Sequence, residues 1–256
     1  MNKYVSFISD EDLLEAIEEL YNVYYKAHSE IKMADFYKNK IDPIKLLFDK
    51  EFLNHSIEDV INLEIIRKKD KTISNGIGDF HETLLGSISG YTKYAVGYGY
   101  DIKADDDSIY VDIKNKHNTV KGSNLPDLYD DLIKYVDSSS NKEAKGYWAQ
   151  IIANGSFNEA WKIPAQGKDD ERIFKISADQ LYSMMTGIDN SFKELCVALP
   201  IAIKDFLEGK DPIGSEENTI YLNLKKQADE NKTDIITELF NKTFDVYIGF
   251  PIKNEE

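Results

Sequence analysis

The sequence predicts an α/β or α+β domain with helices at both ends and strands between them. Three observations carry that reading. Apolar residues recur at helical spacing near the N-terminus, apolar and polar residues alternate between Tyr100 and Thr119, and helical spacing returns after Ser177. No convincing linker interrupts this order, so residues 1–256 read as one domain. It comprises a helical N-terminal region (1–75), a β-rich core (76–185) and a helical C-terminal region (186–256).

The first helix is announced by Ser9 and, three residues on, Asp12, the spacing of a capping box. Leu13, Leu14, Ile17, Leu20, Tyr21 and Tyr24 then fall on one stripe. A second helical region is expected from Pro43 to Arg67, carried by Ile44, Leu47, Phe48, Val60, Ile61 and Ile65. The glycines of SNGIGDFHETLLGSISG predict a break, followed by a short helix with Phe80, Leu84, Leu85 and Ile88 on one side. Two strands joined by the acidic turn ADDDS follow. A helix is then expected in NLPDLYDDLIKYV, with Asn124 as its cap, Pro126 in its first turn and Leu128, Leu132 and Val136 as its apolar stripe. GYWAQIIA and RIFKIS read as strands, SADQLYSMMTG as a helix, and SFKELCVALPIAIKDFLEG as a helix interrupted at Pro200. The chain closes on a strand-like TFDVYIGF.

Composition narrows the function. Cys196 is the only cysteine, so a disulfide framework and a cysteine-rich zinc site within one chain are both excluded; it reads as a small buried hydrophobe. The four histidines do not cluster in a ligand-like pattern. No apolar run is long enough to span a membrane, and MNKYVSFISDEDLLEAIEEL lacks the order of a signal peptide, so a cytoplasmic location is expected. The net charge of −15 speaks against nucleic acid at first sight. It is unevenly spread, however: Arg67, Lys68, Lys69 and Lys71 form one basic stretch, and Lys114, Lys116 and Lys121 another. Divalent cations at an acidic site would also let such a protein grip DNA locally.

The stretch YDIKADDDSIYVDIKNKHNT carries the chemistry. Ile109, Val111 and Ile113 alternate with Tyr110, Asp112 and Lys114, so Asp112 and Lys114 project from the same face. At about 7 Å apart they are expected to be too distant for a direct ion pair, yet able to share a third object. A carboxylate beside an ammonium suits a metal-bound water next to a phosphate. Mg²⁺ asks for further oxygen ligands, which Asp101 on the preceding strand is placed to supply.

The pattern of Asp101, a spacer, and then Asp112-Ile113-Lys114 resembles the PD-(D/E)XK nucleases, with Tyr100 in place of the proline. The wider context, VDIKNKHNT with GYGYDIK and GDFHETLLGSISGY before it and GYWAQIIA and RIFKISADQLYSMMTG after it, resembles type II restriction endonucleases that cut GGNCC-type sites. That resemblance spans roughly residues 75 to 200. It implies a central mixed sheet flanked by helices, Mg²⁺ as cofactor, a homodimer on a palindromic double-stranded DNA site, and hydrolysis leaving 5′-phosphate ends. It also implies a DNA methyltransferase of the same specificity as a functional partner.

Carried over to this chain, Asp101 and Asp112 would bind metal, the Ile113 carbonyl would complete the shell, and Lys114 would assist the attacking water. Glu82 would hold a metal or its water ligand, with Gly86 one turn further along its helix allowing a close approach. Asn115, Lys116, Asn118 and Thr119 would contact phosphates, while Arg172 and Lys175 are candidate base readers. Plainer readings stand beside these. Asp112 and Lys114 fit a solvent-facing edge strand, Asp105, Asp106 and Asp107 fit a turn, and Glu82 fits a solvated helix face. Two other functions fit the same residues: a nuclease of the superfamily acting in repair or on branched DNA, and a non-catalytic DNA-binding protein.

Overall fold

The computed structural model describes residues 2–29, 33–38, 40–95, 97–213, 219–243, 245 and 251. The chain divides into two compact units, Met1–Tyr21 with Asn75–Asp211 and Asn22–Ser74 with Pro212–Glu256.

Helix α1 (Asp10–His28) begins where predicted. Ser9 Oγ accepts a 3.0 Å hydrogen bond from the Asp12 backbone N–H and donates to the Asp12 carboxylate, while three acids crowd the first turn. After α2 (Met33–Lys38), the second helical region is two helices, α3 (Pro43–Leu53) and α4 (Ile57–Gly86). Asn54, in the left-handed conformation at φ 52°, ends α3.

The predicted break at Ser74–Gly78 does not occur: α4 runs for 30 residues straight through Gly76 and Gly78. Each glycine costs a helix only about 1 kcal/mol, less than the burial of Phe80, Leu84 and Leu85 beyond them recovers.

The first unit is built on a six-stranded mixed sheet in the order β1-β2-β3-β4-β6-β5 among the described residues. The strands are β1 (Tyr91–Lys93), β2 (Ile102–Ala104), β3 (Ile109–Lys116), β4 (Lys145–Ile152), β5 (Asn158–Ala160) and β6 (Ile173–Ser177). The β3-β4-β6 centre is parallel, and the antiparallel β1-β2 and β5 flank it. This is the predicted mixed sheet flanked by helices.

One sheet face, with Val111, Ile113, Ala149 and Ile176, shares a core with Leu13 and Ile17 of α1 and with Leu84 and Leu85 of α4. Leu181 and Tyr182 of α6 (Ala178–Thr186) and Leu195 and Ala198 of α7 (Ser191–Phe206) complete it. On the other face, α5 (Leu125–Ser138) sets Tyr129, Leu132 and Val136 against Tyr110, Trp148 and Ile173. Asn124 stands at the start of α5 but its side chain makes no capping hydrogen bond.

Helix α7 also departs from expectation. It continues through Pro200, which lies on the exposed side while Leu195, Ala198 and Ala202 bury the other. Cys196, expected inside, is exposed on the same helix: the apolar run around it is wider than the buried stripe.

The second unit has its own core, in which Phe36, Ile41, Leu46, Val60 and Ile61 pack with Ile220 and Leu224 of α8 (Thr219–Asn231) and Leu239 of α9 (Ile235–Thr243). The strand-like TFDVYIGF begins with Thr243 at the end of α9, and its remainder lies outside the described residues except for Asp245.

Candidate active site

β3 is an interior strand, paired with β2 on one side and β4 on the other, which removes the edge-strand reading of Asp112 and Lys114. Asp112 is only 8% exposed. Burying a carboxylate between two paired strands is unfavourable unless something compensates its charge. Part of that compensation is Lys114, whose ammonium lies 2.7 Å from Asp112 Oδ1. The expectation of no direct ion pair is therefore corrected: about 7 Å separates the backbones, but the four-carbon lysine stem folds back across that gap. Beyond this ion pair, Asp112 Oδ1 has no hydrogen-bond donor among the described residues. Burial pushes the Asp112 carboxyl up to about 6, against the Lys114 charge and with help from Asp101.

Asp101 closes the loop before β2. Its backbone N–H donates to the Val111 carbonyl and its own carbonyl accepts from Tyr94, both at 2.8 Å, so the ladder to β3 extends one residue past the strand. Its Oδ2 accepts a 2.6 Å hydrogen bond from the Ile113 backbone N–H. In a strand, the N–H and C=O of one residue leave along the same edge. The Ile113 carbonyl thus emerges on the Asp101 side of β3.

The loop carrying Asp101 is braced by aromatics. Tyr100 packs edge-on against Tyr94, Tyr110 and Tyr135, with ring centroids 5.0, 5.2 and 4.8 Å away. Gly99 has φ +85°, and a Cβ there would fall 1.7 Å from the Tyr135 hydroxyl; only glycine fits. Burial raises the Asp101 carboxyl above its usual range, opposed by the Ile113 N–H.

Glu82 comes from the last turns of α4. Burial pushes it up to about 7, with the Asp101 charge adding to the rise and Lys93 and Lys114 countering it. It is a half-buried acid in the field of Asp101, not a solvated helix residue. The close approach at Gly86 is that of β1: a Cβ on Gly86 would lie 2.6 Å from Lys93 Cβ. This packing brings the Lys93 ammonium to Thr83 Oγ1 at 3.0 Å and to within 3.9 Å of Glu82. Lys93 was not singled out from the sequence, and β1 is too short to have signalled it.

The remaining candidates are spread more widely. Asn115 and Lys116 end β3, and Thr119 folds back to donate to the Lys116 carbonyl at 2.8 Å, leaving Lys116 and Asn118 exposed. Arg172 is engaged by Asp170 and Asp137 at 2.7 and 2.9 Å. Lys175 sits in register with Trp148 and Asp112 and pairs with Glu159 at 2.8 Å. Asp105, Asp106 and Asp107 form the turn between β2 and β3, with Asp106 accepting from the Ser108 N–H and Asp107 at φ 61°.

The donor set suits a hard cation. Among the described residues no three His, Cys, Asp or Glu side chains converge into a ready-made cage. Two carboxylates and a main-chain carbonyl, with Asp112 Oδ1 buried and met only by the Lys114 ammonium, match an ion such as Mg²⁺, which keeps several waters and takes further oxygens from a phosphate.

The Eco47II restriction endonuclease family matches residues 5–208 of this chain. The chain belongs to that family. The type II restriction enzyme Sau96I of Staphylococcus aureus is 37% identical over 263 residues, covering 99% of this chain and 98% of the relative. The type II restriction enzyme Eco47II of Escherichia coli is 31% identical over 215 residues, covering 79% and 88%. Membership in the Eco47II family places the chain among type II restriction enzymes, which are site-specific deoxyribonucleases. This decides between the readings left open by the residues alone. Among the described residues, no helix is long and apolar enough to cross a membrane.

Proposed function

We propose that this enzyme hydrolyses both strands of a short palindromic GGNCC-like duplex with Mg²⁺, leaving 5′-phosphate and 3′-hydroxyl ends. The observation that carries the reading is a buried carboxylate, Asp112, whose Oδ1 is met only by the Lys114 ammonium, with Asp101 beside it at the middle of the sheet.

Asp101, Asp112 and the Ile113 carbonyl would hold the cation, with Glu82 reaching it directly or through water. When bound, the cation supplies positive charge to the scissile phosphate and acidifies the water that attacks it. Lys114 orients that water and offsets negative charge developing on phosphorus oxygens. Lys114, ion-paired with Asp112 at 2.7 Å, stands where its ammonium would also meet a phosphate bound beside that carboxylate. The hydrogen bond from Ile113 fixes Asp101, so that the two carboxylates are positioned before DNA arrives. Asn115, Lys116, Asn118 and Thr119 at the end of β3 would donate to phosphate oxygens and set the register of the duplex. Lys175 would read bases. Arg172 would reach DNA only by exchanging its two aspartates for it.

The full chain would act as one PD-(D/E)XK-type endonuclease, working as a cytoplasmic homodimer whose two-fold axis matches that of the site. A methyltransferase of the same specificity would protect the host DNA without needing to touch this protein. The test is cleavage of a short GGNCC duplex by the wild type and by Lys114→Met, with Mg²⁺ and with EDTA. Cleavage confined to the wild type with metal supports the proposal; equal cleavage by Lys114→Met, or cleavage in EDTA, contradicts it.

A further inference from the structure

The sheet face that carries Asp112 and Lys114 continues across β4 to the β5–β6 edge and ends in a cleft of about 730 Å³. Its walls include His117, Trp148, Gln150, Glu159, Trp161 and Lys175. Strand register explains why these residues meet. Asp112 pairs with Trp148 and Trp148 with Lys175, Lys114 pairs with Gln150, and Lys175 pairs across the antiparallel edge with Glu159. Paired residues share a face, so the cleft and the candidate catalytic groups open on the same side of the sheet.

Two features of the cleft point to a ligand. Trp148 is 6% exposed, yet its indole N–H has no acceptor among the described residues. The rim ion pair, Lys175 to Glu159 at 2.8 Å, joins side chains of which the glutamate is exposed and the lysine half-buried, so solvent competes for both partners. The pair presents one cationic donor beside one anionic acceptor. A G·C pair shows the complementary set in the major groove, with O6 and N7 acceptors on guanine and an N4 amino donor on cytosine. β5, exposed along its whole length, is the outermost strand of the sheet beside β6, which is paired with β4 on its other side, so Glu159 and Lys175 are offered at the sheet's edge.

We propose that the β5–β6 edge of the sheet reads a base pair, with Lys175 donating to guanine N7 and Glu159 accepting from the amino group of its paired cytosine. This rests on the nuclease reading above and adds to it the residue Glu159 and the base pair it selects. Two strand spacings separate Lys175 from Asp112, about 10 Å, or roughly three base-pair steps along a DNA strand. This edge thus reads inside the same short site that the candidate catalytic groups would cut.

The experiment measures kcat/KM on the cognate duplex and on a panel in which each base pair of the site is changed in turn. It compares the wild type with Glu159→Gln and Lys175→Ala, and folding is checked by thermal melting. The expected result is a loss of roughly 10- to 100-fold on the cognate duplex. Discrimination should fall at one symmetry-related G·C position and persist elsewhere. Independently of any variant's folding, the wild type is also tested on duplexes carrying 7-deazaguanine at each guanine in turn. One symmetry-related position should lose about tenfold, and no loss at any guanine overturns the inference. Folded variants with the wild-type discrimination profile overturn it as well, while leaving the nuclease reading intact. A wild type that cuts no duplex overturns both.

Discussion

The Asp101 carboxylate accepts a 2.6 Å hydrogen bond from the Ile113 backbone N–H, tying the loop before β2 to the strand that carries Asp112 and Lys114. Under the proposed function this side chain would have two tasks, holding a strand and offering its second oxygen to a cation. Asp101→Asn keeps an acceptor for Ile113 and removes the charge, so it should fold normally and lose at least 100-fold in cleavage. Asp101→Ala removes both, and should in addition lose about 1–3 kcal/mol of stability because the strand N–H is left unpaired. Denaturant melts beside single-turnover cleavage separate the two effects.

Asp112 should destabilise the metal-free protein at neutral pH. Its carboxyl, pushed from 3.8 up to about 6, binds a proton more tightly in the folded than in the unfolded state. This contribution therefore raises stability as pH falls through about 6 and is complete below 3.8. Asp112→Asn is neutral throughout, so at pH 7 without metal it should be more stable than the wild type by about 1–3 kcal/mol, while cleaving nothing. Chemical denaturation in EDTA at pH 7 and pH 5 should show the advantage shrinking at the lower value.

His81 carries the opposite sign. Burial against Tyr182, whose hydroxyl lies 3.1 Å from Nδ1, lowers its pKa from 6.5 to about 4. Stability from the neutral ring is fully present above 6.5 and is lost as pH falls towards 4. His81→Gln has no such titration. The wild type should thus lose stability relative to His81→Gln between pH 7 and pH 5, as read from paired melting curves.

Gly99→Ala should weaken both fold and activity. It places a methyl group on the Tyr135 hydroxyl at a backbone φ of +85°, a conformation that alone costs a non-glycine residue about 1–2 kcal/mol. Displacing Tyr135 loosens the aromatic support of Tyr100 next to Asp101. Cleavage should fall further than stability alone accounts for, and Tyr135→Phe, which removes the obstructing oxygen, should partly restore the double variant.

Much of the fold was legible because local signals agreed with tertiary packing. Ser9 with Asp12 started α1, and the alternation from Ile109 to Lys114 described β3, including the common face of Asp112 and Lys114. The failures share a cause. Glycines in α4 and Pro200 in α7 read locally as breaks, whereas burial of Phe80, Leu84, Leu85, Leu195 and Ala202 carries both helices through. Strands β1 and β5, three residues each, leave no periodic trace. The ion pair of Asp112 with Lys114 depends on how a long side chain folds, and the cleft at Glu159 depends on parallel register between β4 and β6; sequence spacing encodes neither directly.

The most direct test of the central claim is digestion of a sequenced plasmid with Mg²⁺ by the wild type and by Asp112→Asn, with every fragment end sequenced. The account predicts discrete fragments from the wild type alone, each ending in a 5′-phosphate at one repeated short palindrome. Fragments from Asp112→Asn at the wild-type rate, or a plasmid left intact by the wild type, would contradict it.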